Sequence, residues 1–228
     1  NYTTEKASLL PALVNTLIIT ALSLLMAIPY GVFTAIYLVE YAKKGSRLVK
    51  LIRITAETLS GIPSIIYGLF GLLFFCTALK WSYCLLAGAL TLVIMILPLI
   101  IRTSEEALLS VPDAYREASF GLGAGKLRTI FHVVLPTAIP GILSGVILAT
   151  GRIVGETAAL LYTAGSVAKI PNLMGSGRTL AVHMYVLSSE GLYMDQAYAT
   201  AVVLLVFVLV LNGISNLLAK QLTKGRNA

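Results

Sequence analysis

Five long apolar stretches dominate the chain, and polar or charged segments separate most of them. They run from Ala7 to Val39, from Thr58 to Leu79, from Trp81 to Ile101, from Val133 to Gly151 (continuing past Arg152 to about Tyr162) and from Gln196 to Ala219. A helix needs about 20 apolar residues to cross the hydrocarbon core of a bilayer. Strands with open edges would leave backbone groups unpaired in lipid. The pattern therefore predicts an all-α membrane protein with five transmembrane helices.

The composition agrees with membrane insertion. The 228 residues are 57% hydrophobic and only 12% charged. A soluble domain of this size would need more polar surface than this. We expect one transmembrane domain over residues 1–228, with a cytoplasmic loop at residues 102–136 and an outer loop at residues 163–195.

The net charge of +7 is distributed as membrane topology requires, rather than as in a nucleic-acid-binding protein. Most basic residues fall in alternate segments: Lys43, Lys44, Arg47, Lys50 and Arg53; Arg102, Arg116, Lys126 and Arg128; and Lys220, Lys224 and Arg226. Positively charged loops stay in the cytoplasm. We therefore expect the chain to start outside and its C-terminus to lie in the cytoplasm.

Short-range signals predict where helices bend and pack. The segment from Ser60 to Ser64 contains Gly61 and Pro63, so an irregular turn is expected at the start of the second span. Small residues that would let helices approach closely lie at Gly68 and Gly71, at Ala87, Gly88 and Ala89, and at Gly141 and Gly145.

The cysteines and histidines give no cofactor site. Cys76 and Cys84 flank a tight outer hairpin, so they are either a disulfide or two buried thiols. His132 and His183 lie far apart in sequence, and no spacing typical of metal ligands occurs. We predict neither a metal nor a cofactor.

The cytoplasmic loop carries the most informative motif. Glu117-Ala118-Ser119 is followed by Gly123, then by Val133 and by Leu135-Pro136. Ser110 and Pro112 predict the start of a short helix that ends near Leu122. Gly123 supplies a bend, and a second short helix begins near Lys126.

This motif resembles the coupling loop of permease subunits of binding-protein-dependent ABC importers, with Ser119 and Val133 as mild departures. The resemblance implies the MetI-like permease fold, which has six spans in a full chain, so we expect this chain to be a fragment lacking the first span. It also implies that Glu117, Ala118, Ser119 and Gly123 dock against cytoplasmic ATPase subunits. An ordinary amphipathic interfacial helix is the alternative.

A glycine-rich pattern in the same loop resembles a nucleotide-binding motif but lacks two of its required residues. Gly121 to Lys126 looks like a phosphate-binding loop, but that motif needs Gly at 120 and Ser or Thr at 127, where this chain has Phe120 and Leu127. We expect no ATPase site in this chain and no enzymatic activity of its own.

Three charged residues in or near the spans are candidates for a substrate path: Arg152, Glu156 and Arg102. A charge near the centre of a span costs about 2.5–3.5 kcal/mol, and arginine matches the geometry of oxyanions. Glu156 follows one helical turn after Arg152, so the two either pair or flank an anion. Arg102 either contributes to the path or extends to the interface at the end of the third span.

The segments Gly151–Ala164, Ser60–Gly68 and Leu99–Leu108 resemble phosphate-importer permeases of the PstA type. The resemblance implies a bacterial plasma-membrane subunit that pairs with a second permease, two ATPases and a phosphate-binding protein facing the outer loop. In that loop, Arg178 either meets the binding protein or is solvated. Alternatives are permeases for sulfate, molybdate or phosphonate, or an ion-coupled secondary transporter.

Overall fold

The computed structural model describes residues 8–43, 45–191 and 193–224, and every regular element among them is helical. The elements are α1 (Leu9–Ile36), α2 (Arg47–Ser60), α3 (Ser64–Gly71), α4 (Leu85–Leu109), α5 (Asp113–Gly121), α6 (Lys126–Thr129), α7 (Leu135–Val154), α8 (Ala158–Thr163), α9 (Leu180–Glu190) and α10 (Met194–Lys224). Short π-helical segments extend three of them: Tyr37–Tyr41 after α1, Leu72–Ala78 after α3 and Ile130–Val134 between α6 and α7.

Four helical stretches in the described part of the chain are long and apolar enough to span a membrane: Leu9–Tyr41, Leu85–Leu109, Lys126–Val154 and Met194–Ser215. A fifth span results if Arg47–Ser60 and Ser64–Ala78 count as one broken span. The break lies at Gly61 to Pro63, because Pro63 cannot continue the preceding helix. The irregular turn and four of the five predicted spans are thus confirmed, and the predicted second span corresponds to the bent pair, whose helices are bent by 101°.

Two span boundaries differ from the prediction. The third span continues to Leu109, so Arg102 lies inside α4 rather than at its end. The fourth starts at Lys126 rather than near Val133. The π-helical turn Ile130–Val134 precedes Pro136, and its wider turn accommodates a residue that lacks an N–H and would clash with the carbonyl four residues earlier. The predicted second short helix is therefore the start of a long one.

The chain forms two compact units that interleave along the sequence. Unit 1 contains residues 1–26, 62–96 and 150–213, and unit 2 contains residues 27–61, 97–149 and 214–228. The predicted close-packing glycines are confirmed within both. In unit 1, a Cβ on Gly68 would lie 2.8 Å from the Cα of Ala159 in α8. In unit 2, a Cβ on Gly141 would lie 2.7 Å from the Cβ of Ala107 in α4.

The core of unit 1 includes both cysteines as free, buried thiols. Cys76 and Cys84 cluster with Phe75 and Ala87. The Cys76 thiol donates to the Thr163 carbonyl at 3.7 Å, and the Ala87 amide donates to the Cys84 sulfur at 3.4 Å. The interpretation as two apolar thiols is therefore the one that the structure supports.

The core of unit 2 joins the C-terminal end of α1 to α4 and to the start of α7. Its buried residues are Ala35, Ile36, Ala107, Leu108, Val111, Ile130, Val134, Ala138 and Ile142. This cluster is the base on which the loop between α4 and α7 rests.

Candidate functional site

The loop motif forms a short helix, α5, whose first residue is Asp113. Pro112 precedes it as the cap residue, which suits proline because the first helical amides have no partner within the helix. Ser110 does not cap α5 as predicted, because its hydroxyl donates to the Ala107 carbonyl of α4 at 2.8 Å. Asp113 lies in the first turn, where the helix dipole favours a negative charge.

Helix α5 lies on the surface, and none of its residues is buried. Glu117 and Ala118 are exposed, and Ser119 is half-buried. Apolar side chains of the loop are exposed with them: Tyr115, Phe120, Leu122 and Leu127, of which Leu122 is 89% exposed. An exposed apolar patch of this kind marks an interaction surface.

Gly123 ends α5 in the way the sequence predicts. Its φ of 81° is the left-handed conformation that favours glycine. The Gly123 amide donates to the Phe120 carbonyl at 2.9 Å, and the Ala124 amide donates to the Ser119 carbonyl at 3.1 Å. These are the two bonds of a Schellman C-cap, which turns the chain into α6.

Two side chains of the loop have roles that sequence reasoning did not identify. The Ser119 hydroxyl hydrogen-bonds the Thr129 hydroxyl at 2.8 Å and so ties α5 to α6. Arg116, interpreted from the sequence only as one of several cytoplasmic charges, is largely buried and paired with Glu40. Its position just before Glu117 in the motif was the only sequence signal available.

In unit 1, Arg152 and Glu156 lie on either side of a helix break. Helix α7 ends at Val154, and α8 begins at Ala158. The Glu156 carboxylate accepts a hydrogen bond from the Ala159 amide at 3.0 Å and thereby caps α8. The expected continuation of the helix to Tyr162 is wrong, because this capping bond and Gly155 favour a break.

The break bears on the first of the two expected partners of Arg152, the Glu156 carboxylate. Among the described residues no ion pair joins Arg152 to Glu156. Glu156 is buried and occupied with α8, whereas Arg152 is half-buried in the last turn of α7. The negative end of the helix dipole stabilises the guanidinium there.

Arg102 lies in unit 2 and has a carboxylate partner. Its Nε donates to Glu106 Oε1 at 3.0 Å, and both side chains are mostly exposed. Arg53 pairs with Glu105 beside it. These four residues and Glu57 line a cleft of about 280 Å³ together with apolar side chains. With two arginines and three glutamates, the cleft does not attract an anion through net charge.

The loop at residues 163–195, which the sequence predicts to be the outer loop, is held by the N-terminal half of α1. Asn15 Nδ2 donates to the Lys169 carbonyl at 2.9 Å and to the Arg178 carbonyl at 3.1 Å. The Leu180 amide donates to the Thr16 hydroxyl at 2.9 Å. Arg178 is only 5% exposed, so the expectation of a solvated side chain is wrong in this chain. Burial, and then the charge of Arg178, lowers the pKa of His183 to about 4.

Among the described residues, no three His, Cys, Asp or Glu side chains come together in a way that could hold a metal ion.

Comparisons of the sequence with known proteins identify the family of this chain. Residues 27–226 match the family model described as "Binding-protein-dependent transport system inner membrane component". The probable ABC transporter permease protein YqgI of Bacillus subtilis is 38% identical over 217 residues, which cover 88% of this chain and 74% of YqgI. The phosphate transport system permease protein PstA of Pasteurella multocida is 33% identical over 231 residues, which cover 96% and 79%.

A second group of relatives is matched over a shorter region. The phosphate transport system permease protein PstA 1 of Mycobacterium tuberculosis is 42% identical over 154 residues, which cover 68% of this chain. The match spans about half the length (49%) of that relative.

Solved structures share the fold at low identity. A chain of the inward-facing MetNI methionine ABC transporter superposes with a TM-score of 0.73 at 21% identity, over 94% of both chains. A bacterial ABC transporter that imports the polysaccharide alginate gives a TM-score of 0.72 at 19% identity, over 93% of this chain and 79% of that one. These establish the MetI-like permease fold. The family match over residues 27–226 shows further that the chain belongs to the inner membrane components of binding-protein-dependent transport systems, the permease subunits of ABC importers.

Proposed function

We propose that this chain is a membrane subunit of an ATP-driven importer of inorganic phosphate in the bacterial plasma membrane. Phosphate is proposed as the substrate because relatives that are 33% to 42% identical are named as phosphate transport permeases. Arg152 supports it, because a half-buried guanidinium without an ion-pair partner among the described residues is available to an oxyanion.

Arg152 and Glu156 have separate roles in this proposal. Arg152 attracts phosphate through charge and a planar pair of N–H donors. Glu156 fixes the break between α7 and α8, which sets where the guanidinium is presented. Arg102, which is already paired with Glu106, is assigned the lesser role of an inner path contact.

The surface of α5 is the proposed ATPase-docking site. Glu117 and Ala118 present an exposed face, Gly123 fixes where α5 ends, and Ser119 anchors it to α6. Two cytoplasmic ATPases bind a pair of such loops, one from this chain and one from a second, homologous permease. ATP binding and hydrolysis then move the loops and switch the path between its outward and inward states.

The remaining partners follow from the same assembly. A phosphate-binding protein delivers phosphate at the outer loop, residues 163–195, and the C-terminus lies in the cytoplasm, where the basic segments cluster. The chain needs no ATPase site of its own, because its partners hydrolyse ATP.

Uptake of labelled phosphate tests the substrate. Cells that lack their own high-affinity phosphate system would receive the full-length chain with its genomic partners. We expect saturable uptake that excess sulfate, molybdate or phosphonate does not block and that a disabled ATPase abolishes. ATPase-dependent uptake of one of those anions, without phosphate uptake, would show that this anion is the substrate instead of phosphate. Uptake that does not depend on the ATPase would favour an ion-coupled transporter.

A further inference from the structure

Arg116 is the most extensively hydrogen-bonded side chain of the coupling loop. Its Nε and Nη2 donate to Glu40 Oε1 at 3.0 and 2.8 Å. Nη1 donates to the Val111 carbonyl at 2.8 Å and to Asp113 at 3.2 Å, and Nη2 donates to the Leu108 carbonyl at 3.0 Å. A guanidinium has five N–H donors, so these bonds use all of them.

The partners of Arg116 belong to three separate elements. Leu108 is in the last turn of α4, and Asp113 is in α5 itself. Glu40 lies in the π-helical turn Tyr37–Tyr41 that ends the first span. The ion pair is withdrawn from water, since the Arg116 and Glu40 side chains are 14% and 9% exposed. A surface ion pair contributes little, whereas breaking a buried one leaves an uncompensated charge.

The same π-helical turn is contacted by the second half of the loop. The Lys126 ammonium, at the start of α6, lies 4.7 Å from the centre of the Tyr41 ring, within the range of a cation–π interaction. The Ser119–Thr129 hydrogen bond joins α5 to α6. Both arms of the loop are therefore connected to each other and to residues 37–41.

The two faces of α5 differ in exposure. Arg116 and Ser119 are three residues apart, so they share one face of the helix, and they are its only half-buried residues. Glu117 and Ala118 remain exposed toward the proposed ATPase. A force applied to the exposed face therefore reaches the spans through the contacts of Arg116 and Ser119.

We propose that the Arg116–Glu40 pair is the connection by which movement of the ATPase-docked helix α5 is transmitted to the first span. Arg116 is a positioning residue in this scheme, and the π-helical turn Tyr37–Tyr41 is the element that receives the movement. The inference rests on the proposed ATPase docking at α5, but it does not depend on which anion is transported.

The test uses the complete transporter in proteoliposomes, with the full-length chain, its second permease, the ATPases and the binding protein. Variants Arg116→Gln and Glu40→Gln each remove one partner, and the double variant removes both. Arg47→Gln is the matched control, because it makes the same change at an exposed arginine of α2. The readouts are ATPase retained on purification, melting temperature, ATP hydrolysis and anion transported per ATP.

Both single variants should retain the ATPase but transport about tenfold less anion per ATP, as expected for loss of a coupling interaction. The double variant should recover melting temperature, because it leaves no buried unpaired charge, without recovering transport per ATP. Arg47→Gln should resemble wild type.

Two results would overturn the proposal. In the first, a single variant that retains the ATPase also keeps wild-type transport per ATP. In the second, the double variant recovers both stability and coupling, which would mean that the pair only balances charge. Should a single variant fail to assemble, the double variant still decides. If Glu117→Lys left ATPase binding intact, the docking proposal itself would fail, independently of these ratios.

Discussion

Arg152 occupies the last turn of α7, where the helix dipole stabilises its charge and no carboxylate of the described residues forms an ion pair with it. Replacing it should affect transport more than folding. Arg152→Gln should lower phosphate uptake by about 10- to 100-fold, the equivalent of one or two charge-assisted hydrogen bonds. Arg152→Lys should retain part of the activity, because charge remains while the planar fork is lost.

The measurement is labelled-phosphate uptake, normalised to the amount of assembled transporter. Lys50→Gln, which removes an exposed charge from α2, is the control and should behave as wild type. Wild-type uptake in Arg152→Gln would make this arginine a structural residue.

His183 makes stability depend on pH. Its pKa falls from 6.5 to about 4 in the folded chain, so between these values the unfolded chain binds a proton that the folded chain does not. His183 therefore costs the folded state nothing above pH 6.5, where it is neutral in both states. The free energy of unfolding decreases as the pH falls from 6.5 toward 4. Melting temperatures of wild type and His183→Gln should therefore differ in their pH dependence over this window. Parallel curves would show that His183 titrates normally.

Side-chain contacts account for what the sequence did not reveal at this scale. Arg152 and Glu156 could be identified because charges are rare within the spans, and Glu117 because it begins the loop motif. A helix break explains why Glu156 caps α8 and why no ion pair to Arg152 forms in the described part of the chain. Arg116 finds Glu40, 76 positions away in sequence, and no local pattern indicates a contact at that separation.

At the scale of helices, α5 tests the docking proposal. Glu117→Lys reverses an exposed charge at the centre of the proposed interface. It should reduce co-purification of the ATPase by at least about tenfold, since like charges at an interface cost several kcal/mol. Glu57→Lys makes the same charge change on an exposed position of α2 and should retain the ATPase. Normal co-purification with Glu117→Lys would contradict docking at α5.

Helix packing in unit 1 depends on Gly68. A methyl group there would lie 2.8 Å from the Cα of Ala159, and a backbone atom cannot move aside as a side chain end can. Gly68→Ala should destabilise the protein by about 1–3 kcal/mol. Gly213→Ala in α10 has open space around its added methyl and should be neutral or stabilising. Thermal denaturation compares the two, and equal melting temperatures would contradict the packing.

The elements themselves were largely predictable, and their ends were not. Hydropathy located the four unbroken spans, because lipid imposes the same requirement on every residue of a span. The end of α5 at Gly121 followed from Gly123. Neither end of α7 could be predicted in this way. Its start directly after a π-helical turn and its end at Val154 depend on single hydrogen bonds around Pro136 and Glu156.

At the scale of the whole molecule, the chain is one permease subunit whose activity belongs to an assembly. The alternate basic segments predict its orientation in the membrane, and the family match identifies the assembly as a binding-protein-dependent ABC importer. The central claim is that this machine uses ATP to accumulate phosphate.

ATP-driven accumulation in proteoliposomes tests that claim most directly. Vesicles would contain the full-length chain with its second permease and ATPases, with ATP enclosed and with phosphate and its binding protein outside. The account predicts that labelled phosphate accumulates above its external concentration, and only when the enclosed nucleotide can be hydrolysed. No accumulation of phosphate, or equal accumulation with a non-hydrolysable nucleotide, would contradict it.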